Sequence, residues 1–332
     1  MNNTVYIPVT TTDPALNLAL EQYVFDCLPR DRQYFLFWQN DNAIIIGRHQ
    51  NTLAEIDEAY VRQQGIRVVR RLSGGGAVYH DLGNLNYTWI TDADDRHQVD
   101  LGKFCQPVAE ALRALGADAQ VSGRNDILID GQKISGNAQY IREGRVMHHG
   151  TLLFDSDLSV LGNALKVDPD KIQAKGVQSV RSRVSTIRPH LRQAASLTDF
   201  KQLLLEKLFP NGVTEYHLTD ADIQAIEQLR QQRYDTWDWN YGASPPCSLI
   251  RKKRMEGCGT IEAHIRLEKG HIAAIHFLGD FFSTVEPEEL AAKLVGLRLT
   301  AEDCRPVLEE VDVSRFFTGA QPQDILTLLC QA

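Results

Sequence analysis

The sequence predicts an α+β fold in two parts, a large domain with a mainly antiparallel sheet and a small α+β domain after it. Short apolar runs joined by turn residues are typical of strands in consecutive hairpins, and segments with helical spacing separate them. A Gly-Ala-Ser-Pro-Pro stretch, residues 242–246, has the composition of a linker. We therefore expect one domain over residues 1–244 and a second over residues 245–332.

The composition is that of an ordinary globular protein, and it argues against several classes of function. The chain has 332 residues, 43% of them hydrophobic and 23% charged, and its net charge of −8 argues against bulk binding of nucleic acid. No apolar run is long enough to span a bilayer, and the N-terminus lacks the features of a signal peptide. The six cysteines are scattered, so we expect a cytoplasmic protein with neither a disulfide framework nor structural zinc.

The first elements follow from caps and apolar runs. Asp13 followed by Pro14 predicts the start of a helix, because an N-cap carboxylate and a proline in the first turn both favour one. Two buried strands are expected at Tyr34–Trp38 and Ala43–Ile46, and Leu53–Gln64 has a helical composition.

Further along the chain, predicted helices lie between groups of predicted strands, as the α+β class leads us to expect. Helical spacing predicts helices at Lys103–Leu115, Leu197–Leu208 and Asp220–Tyr234. Strands joined by Asp-Gly and Glu-Gly turns are expected at Ile127–Ile129, Lys133–Ile141 and Val146–Phe154.

The small domain is predicted to contain two strands and three helices. Thr260–Leu267 and His271–Leu278 alternate in polarity around a Lys-Gly turn, which is the pattern of a hairpin. Three short helices are expected to begin at Pro287, Ala301 and Pro322.

The most informative string runs from Arg70 to Asn84 and contains three consecutive glycines, Gly74–Gly76. Glycines let the backbone bend sharply and approach a ligand, and successive N–H groups in such a turn can bind anionic oxygens. The neighbouring Arg71 suits phosphate, since a guanidinium can bind it with two hydrogen bonds. No Gly-Lys-Ser/Thr follows, and a strand rather than a helix comes next, so neither a Walker loop nor a dinucleotide fingerprint fits. The string predicts capture of a phosphate or an adenylate; the alternative is a tight hairpin with a solvated flank.

Two further groups could complete such a site. Lys133 lies on a predicted strand before small residues, Ser135–Ala138, where it could stabilise charge on a bound ligand; a solvated edge lysine is the alternative. His148 and His149 point to opposite faces of one strand, which disfavours a shared metal, and one of them is expected near the ligand or in the core. The basic segment 175–184 is either a lid or a solvated loop.

Together these strings resemble the lipoate–protein ligase A family of the two-domain type. The matching motifs occur in the family's order over roughly residues 10–190. They are Ile46-Gly47-Arg48-His49-Gln50-Asn51, the string from Arg70 to Asn84, Gly123-Arg124-Asn125-Asp126, Lys133-Ile134-Ser135-Gly136, His148-His149-Gly150-Thr151 and the segment 175–184. The resemblance implies a biotin/lipoate ligase-like (class II synthetase-like) catalytic domain.

The resemblance also implies an activity and partners. Lipoate and Mg-ATP would give lipoyl-AMP and pyrophosphate, and the lipoyl group would then pass to a specific lysine of an acceptor. The acceptors implied are the lipoyl domains of 2-oxoacid dehydrogenase acyltransferase subunits and the glycine-cleavage H protein. Neither nucleic acid nor a membrane is implied as a partner.

Carried over position by position, the resemblance assigns Lys133 as the catalytic residue and Asp126 as a candidate Mg²⁺ ligand. The implied ATP-binding residues are Arg71, Gly76, Ala77, Val78, Tyr79 and Lys133. The implied lipoate-binding residues are Lys133, Ser73, Gly74, Gly75, His80, Ala138 and His149. An apolar slot for the lipoyl tail would be walled by Leu18, Trp38, Val78 and Leu152.

Three other functions remain open on the same scaffold. A cysteine-dependent octanoyl or lipoyl transferase is disfavoured because no cysteine lies between Cys105 and Cys247. A biotin ligase is disfavoured because its Gly-Arg-Gly-Arg type loop is replaced by Ser73–Gly76. A non-catalytic acyl-adenylate binding protein is disfavoured by the intact Lys133 and Arg71, and a turnover assay separates it from an enzyme.

Overall fold

The computed structural model describes residues 3–92, 101–122, 125–165, 184–244, 247–279, 281 and 283–330. The chain divides into two compact units, the first made of residues 1–48 and 66–236 and the second of residues 49–65 and 237–332. The second unit thus includes a segment from the first fifth of the chain. The functional boundary between residues 244 and 245 stays a prediction. No helix in the described residues has both the length and the apolar character needed to cross a bilayer.

The strands of the described residues belong to three sheets. They are β1 (Thr4–Pro8), β2 (Gln33–Trp38), β3 (Ala43–Ile46), β4 (Arg67–Arg70), β5 (Val78–His80), β6 (Asn84–Asp92), β7 (Ala119–Ser122), β8 (Asp126–Ile129), β9 (Gln132–Arg142), β10 (Arg145–Leu153), β11 (Thr214–Glu215), β12 (Cys247–Met255), β13 (Gly259–Glu268) and β14 (His271–Gly279).

The helices include most of those that the sequence predicts. They are α1 (Pro14–Cys27), α2 (Thr52–Glu55), α3 (Glu58–Gln63), α4 (Gly102–Ala114), α5 (Leu158–Ala164), α6 (Leu197–Leu208), α7 (Asp220–Leu229), α8 (Pro287–Leu294), α9 (Ala301–Glu310), α10 (Val313–Phe316) and α11 (Pro322–Cys330). A short 3₁₀ turn covers Arg188–His190, and π-type turns cover Arg230–Tyr234 and Asp238–Gly242.

The first unit is built on a large sheet with the strand order β11-β1-β2-β6-β10-β9-β8-β7. Strand β1 pairs in parallel with β2 and β11, whereas the other neighbours are antiparallel. The predicted α+β class with a mainly antiparallel sheet is confirmed. One face of this sheet packs against α4 and α6 in an apolar core that includes Phe35, Leu112 and Phe200.

A small sheet beside it carries the glycine string. Strand β3 is central, parallel to β4 and antiparallel to β5, so residues 71–77 form the connection between the two outer strands. The β3 run of alanine and three isoleucines is buried throughout, as a central strand requires. The three-residue β5 is short because the preceding glycines do not continue the ladder.

The second unit contains a three-stranded antiparallel sheet, β12-β13-β14, packed on helices. The predicted hairpin is confirmed as β13 and β14, but the prediction of two strands and three helices was incomplete. Strand β12 was missed because four consecutive basic residues, 251–254, mask its alternation. Arg251 is buried and paired with Glu58 of α3, which belongs to the same unit. The predicted helix at Leu53–Gln64 is split into α2 and α3, since Asp57 caps a new helix.

Helix α1 begins as the sequence predicts, and its cap is a testable feature. The Asp13 carboxylate accepts hydrogen bonds from the backbone N–H groups of Ala15 at 2.9 Å and Leu16 at 3.0 Å. We expect Asp13→Ala to lower the free energy of unfolding by about 1–2 kcal/mol, measured by urea denaturation. Asp13→Asn keeps a capping oxygen and serves as the control, with a smaller loss. Equal losses in both variants would assign the effect to the ion pair of Asp13 with Arg67 instead of the cap.

Candidate active site

A cavity of about 160 Å³ lies in the first unit, between the glycine string, β9, β10 and α1. Many of the predicted site residues line it: Arg71, Gly75, Gly76, Ala77, Val78, His80, Lys133, Ala138 and His149. The cavity has an open side and a closed side. Gly75 and Gly76 are exposed and Lys133 is 36% exposed in its side chain, whereas Trp38, His80 and Asn86 are almost fully buried.

Arg71 is buried inside the loop whose shape it maintains. Its Nη2 donates to the carbonyls of Gly74 at 2.7 Å and Gly76 at 2.8 Å, and its Nη1 donates to the carbonyl of Ile45 at 3.0 Å. Its Nε donates to Ser73 Oγ at 3.0 Å. The loop carbonyls therefore point toward the guanidinium. One guanidinium N–H is left over, because arginine has five N–H donors.

The loop needs glycine for a steric reason. Gly75 has φ +93°, a backbone conformation that other residues rarely adopt, and a Cβ there would lie 3.0 Å from Nη2 of Arg71. Within the described residues, the N–H groups of Gly74, Gly75 and Gly76 have no hydrogen-bond acceptor. Gly75 and Gly76 lie at the open side of the cavity, where their amides are available to an anion.

A buried chain of hydrogen bonds connects Arg71 to a carboxylate on α1. Ser73 Oγ lies 2.6 Å from His149 Nε2, and His149 Nδ1 lies 3.1 Å from Oε1 of Glu21. With a neutral imidazole, both contacts are satisfied when Ser73 donates to Nε2 and His149 donates its Nδ1 proton to Glu21. Thr88 adds a further donor to Glu21 at 2.5 Å. The guanidinium and its counter-charge are thus linked without direct contact.

Burial and the carboxylate of Glu21 act in opposite directions on the pKa of this cation. Burial lowers the pKa of Arg71 to about 10, and the carboxylate of Glu21 opposes that shift. Glu21 itself is 1% exposed. An isolated ionised group at either position would be costly, so the two charges depend on each other.

Lys133 lies at the open side of the cavity in an ion pair. Its Nζ is 2.7 Å from Oδ1 of Asp126, and both side chains are about one third exposed. A Cβ on Gly136 would lie 2.9 Å from this Nζ, so the small residue gives the ammonium its space. The backbone of Lys133 also holds residues 184 and 185, through a bridge to Val184 and a hydrogen bond from Ser185 N at 2.9 Å.

The two adjacent histidines lie on opposite faces of β10, as predicted. His149 faces the cavity, whereas His148 faces the core, where its ring stacks on Phe104 with 4.9 Å between centroids. Burial, with a smaller contribution from His149, lowers the pKa of His148 to about 3. Within the described residues, no group of three or more histidine, cysteine, aspartate or glutamate side chains could hold a metal.

Other predicted residues lie behind the lining. Ser73 and Gly74 bind Arg71, and Tyr79 donates its hydroxyl to Oδ1 of Asn42 at 3.1 Å. Leu18, Trp38 and Val78 form walls, but Leu152 is buried in the core beneath the sheet. Gly123, Arg124, residues 175–183, Pro245 and Pro246 lie outside the described residues.

Sequence reasoning missed several residues of the site. Glu21 is a carboxylate on the buried face of α1, three residues after Leu18 and four before Phe25, and that position was a usable signal. Asn86 and Asn137 line the cavity from β6 and β9. Asn137 accepts from the Tyr87 hydroxyl at 2.5 Å, and nothing in its local sequence distinguishes it.

Comparison with known proteins places this geometry in a family. The profile of the lipoyl protein ligase A/B catalytic domain matches residues 13–209, and that of the bacterial lipoate protein ligase C-terminus matches residues 244–329. The chain belongs to the lipoate–protein ligase family. It is 45% identical to lipoate-protein ligase LplJ of Bacillus subtilis over 321 residues, covering 96% of this chain and 97% of the relative.

Solved structures agree with this family fold. A bi-partite lipoate protein ligase from Thermoplasma acidophilum, studied with its E2 lipoyl domain, has a TM-score of 0.66 at 28% identity. It covers 73% of this chain and 97% of its own. A lipoate-protein ligase A bound with ATP has a TM-score of 0.61 at 27% identity and covers 73% of this chain and 98% of its own. The family, fold and enzyme class predicted for this protein are confirmed.

The role of Glu21 as the counter-charge of Arg71 can be tested by unfolding. We expect Glu21→Ala to lower the free energy of unfolding by about 3 kcal/mol, because it leaves a buried cation without its partner. Glu21→Gln keeps an oxygen that accepts from His149 or Thr88 but removes the charge, so it should retain most of that loss. Urea denaturation at neutral pH measures both. A loss below about 1 kcal/mol in the alanine variant would contradict this role.

The buried neutral histidine His148 predicts a pH dependence. Between pH 6.5 and about 3 the unfolded chain binds a proton at this position that the folded chain does not, so stability falls as pH falls. His148→Phe keeps the ring and removes the proton, so the slope should become shallower by up to about 1.4 kcal/mol per pH unit. His217→Phe, at a side chain 74% exposed, is the control. Parallel curves for His148→Phe and the wild type would refute the prediction.

Proposed function

We propose that this protein activates lipoate with Mg-ATP to lipoyl-AMP, releasing pyrophosphate, and transfers the lipoyl group to a lysine of an acceptor domain. The observation that carries the proposal is the cavity itself. It combines a buried apolar slot with an ammonium group and a glycine loop at the open side.

The slot suits the tail of a medium-chain acid. Leu18, Trp38, Ile45 and Val78 supply its apolar walls, and the first three are almost fully buried. Burial of an apolar tail there gives affinity, while the carboxylate stays at the open side near Lys133. The carbonyl must lie there because an amine of another protein has to reach it.

The nucleotide would lie across the open side, where the glycine loop is exposed and Lys133 is partly exposed. The free amides of Gly75 and Gly76 would bind phosphate oxygens, and the remaining N–H of Arg71 would add a charged donor. The backbone of Ala77 and Val78 would line the adenine and ribose, with the ring of Tyr79 beside them.

Mg²⁺ fits this site in the manner that the ion usually adopts with nucleotides. It commonly takes one or two protein carboxylates, several waters and substrate phosphates, so a complete protein cage is not required. Asp126 is a partly exposed carboxylate beside Lys133 and would serve as the protein ligand. When bound, the ion would neutralise phosphate charge.

The chemistry follows from charge placement. An oxygen of the acid attacks the α-phosphorus, the bond to the pyrophosphate oxygen breaks, and a mixed anhydride forms. The Lys133 ammonium would stabilise the negative charge that develops between carboxylate and phosphate. In the second step a lysine amine of the acceptor attacks the carbonyl, AMP leaves, and an amide remains.

The acceptors that we propose are the lipoyl domains of 2-oxoacid dehydrogenase acyltransferase subunits and the glycine-cleavage H protein. The Thermoplasma ligase and its E2 lipoyl domain support the first class. A thioester mechanism has less support, because Cys105 is buried in the apolar core.

The half-reactions can be measured separately. Acid-dependent exchange of pyrophosphate into ATP, with lipoate, octanoate or biotin and no acceptor, reports activation. Transfer to a purified lipoyl domain, followed by the mass of the acceptor, reports the second step. Absence of exchange with every acid would overturn the proposed activation.

Lys133 provides the sharpest variant. We expect Lys133→Ala to reduce exchange with lipoate by at least about 10²-fold, since it removes the cation from the reacting oxygens. The fold should persist because the side chain is partly exposed and contributes little packing. Lys207→Ala, an exposed change on α6, is the control. Exchange at the control rate in folded Lys133→Ala would remove Lys133 from this role.

A further inference from the structure

Two buried nitrogen donors at the closed side of the cavity have no acceptor. Nε2 of His80 and Nδ2 of Asn86 lack hydrogen-bond partners within the described residues, although the two side chains are only 3% and 1% exposed. Both residues line the cavity. Buried polar atoms are nearly always paired with protein, ligand or ordered water, so an orphan donor in the lining of a cavity is a position that a ligand acceptor can fill.

The hydrogen-bond network assigns His80 as a donor. The amide nitrogen of Asn17 donates to Oδ1 of Asn40 at 3.0 Å, and this fixes the amide orientation of Asn40. The Nδ2 of Asn40 must then donate to Nδ1 of His80, 3.1 Å away. Nδ1 is therefore the acceptor, and the single proton of the neutral ring lies on Nε2.

The charge state of the ring agrees with that assignment. Burial, with smaller contributions from Arg71 and His149, lowers the pKa of His80 to about 3. The imidazole is neutral at physiological pH, so it presents one N–H to the cavity.

Asn86 pairs with a neighbouring amide on the same strand. The Nδ2 of Asn84 donates to Oδ1 of Asn86 at 3.0 Å, and in this arrangement Nδ2 of Asn86 and Oδ1 of Asn84 have no partner within the described residues. Asn86 lies on β6 directly opposite Trp38 of the neighbouring strand β2, and this register places it at the closed side. The closed side thus has two donors among apolar walls.

We propose that His80 and Asn86 recognise acceptor atoms at the far end of the acid, and that they make the site prefer a dithiolane ring to a plain hydrocarbon tail. This inference rests on the proposed function, which places the carboxylate at the open side and the tail at the closed side. The disulfide sulfurs of lipoate are weak acceptors, whereas the methyl end of octanoate accepts nothing. A tail without acceptors leaves both donors buried and unpaired, which is the basis of discrimination against it.

The matched probe is 5-cyclopentylpentanoate, in which two methylenes replace the sulfurs of lipoate and the ring and chain are otherwise kept. We expect the full-length wild-type protein to bind lipoate about tenfold more tightly than this acid in isothermal titration calorimetry, since two weak hydrogen bonds are at stake. Octanoate should bind no better than the carbocyclic acid. Equal affinities for lipoate and the carbocycle would overturn the inference.

Two variants test the residues themselves. Asn86→Leu and His80→Phe remove the donors and retain approximate shape, and each should bring the affinity ratio of lipoate to carbocycle toward one. Asn211→Leu, at an exposed position outside the cavity, should leave the ratio unchanged. An unchanged preference in the folded Asn86→Leu and His80→Phe variants would also overturn the inference. If one variant does not fold, the wild-type ratio and the other variant decide.

Failure of this inference and failure of the proposed function give different results. If lipoate neither binds nor supports pyrophosphate exchange, the proposed function falls and the inference falls with it. If lipoate binds and supports exchange but the carbocycle binds equally well, only the role of the two donors is rejected.

Discussion

The guanidinium of Arg71 is enclosed by the loop that it organises, and a cation without water must find its hydrogen bonds in the protein. Loop carbonyls and Ser73 supply them, and Glu21 supplies the opposing charge through His149. The glycine string keeps its shape because its carbonyls point inward to a fixed charge. The backbone N–H groups of the glycine string therefore lie on the side of the loop that faces away from Arg71. The same chain of bonds joins the small sheet to β10 and α1. Three of the elements around the cavity therefore share one polar network.

The cavity combines a rigid interior with a more open rim. The interior is formed by α1 and by strands of the large and small sheets of the first unit. Once packed, these side chains have few alternative conformations. The rim contains Lys133 and Asp126, whose ion pair is only partly buried and is exchangeable against other charges. Such a division suits the proposed function, in which the site would select one small acid and then accept a nucleotide and another protein. Under the proposed function, tail recognition and charge exchange would fall to different residues, so each could be altered without the other.

Much of this organisation was predictable from local sequence. Residue types alone predict the cap at Asp13, the buried runs of β2 and β3 and the turns between β8, β9 and β10. The order of the motifs along the chain indicated most of the residues that line the cavity. What local sequence could not supply was long-range pairing. Glu21 belongs to the site because it contacts His149, a residue 128 positions away. Strand β12 is hidden by basic residues because the partner of Arg251, Glu58, lies in a distant segment. Asn40 is unremarkable until its amide orientation is fixed by Asn17.

The composition of the second unit has a consequence for dissecting the protein. Residues 49–65 belong to that unit by their contacts, and Leu53 lies in its apolar core. Thr52 donates to the carbonyl of Asn240 at 2.6 Å. A fragment cut at the linker would therefore carry a hole where Leu53 packs and a buried arginine, Arg251, without its carboxylate. The chain passes from one unit to the other more than once, so the modular appearance of its C-terminal third does not make that third a separable part.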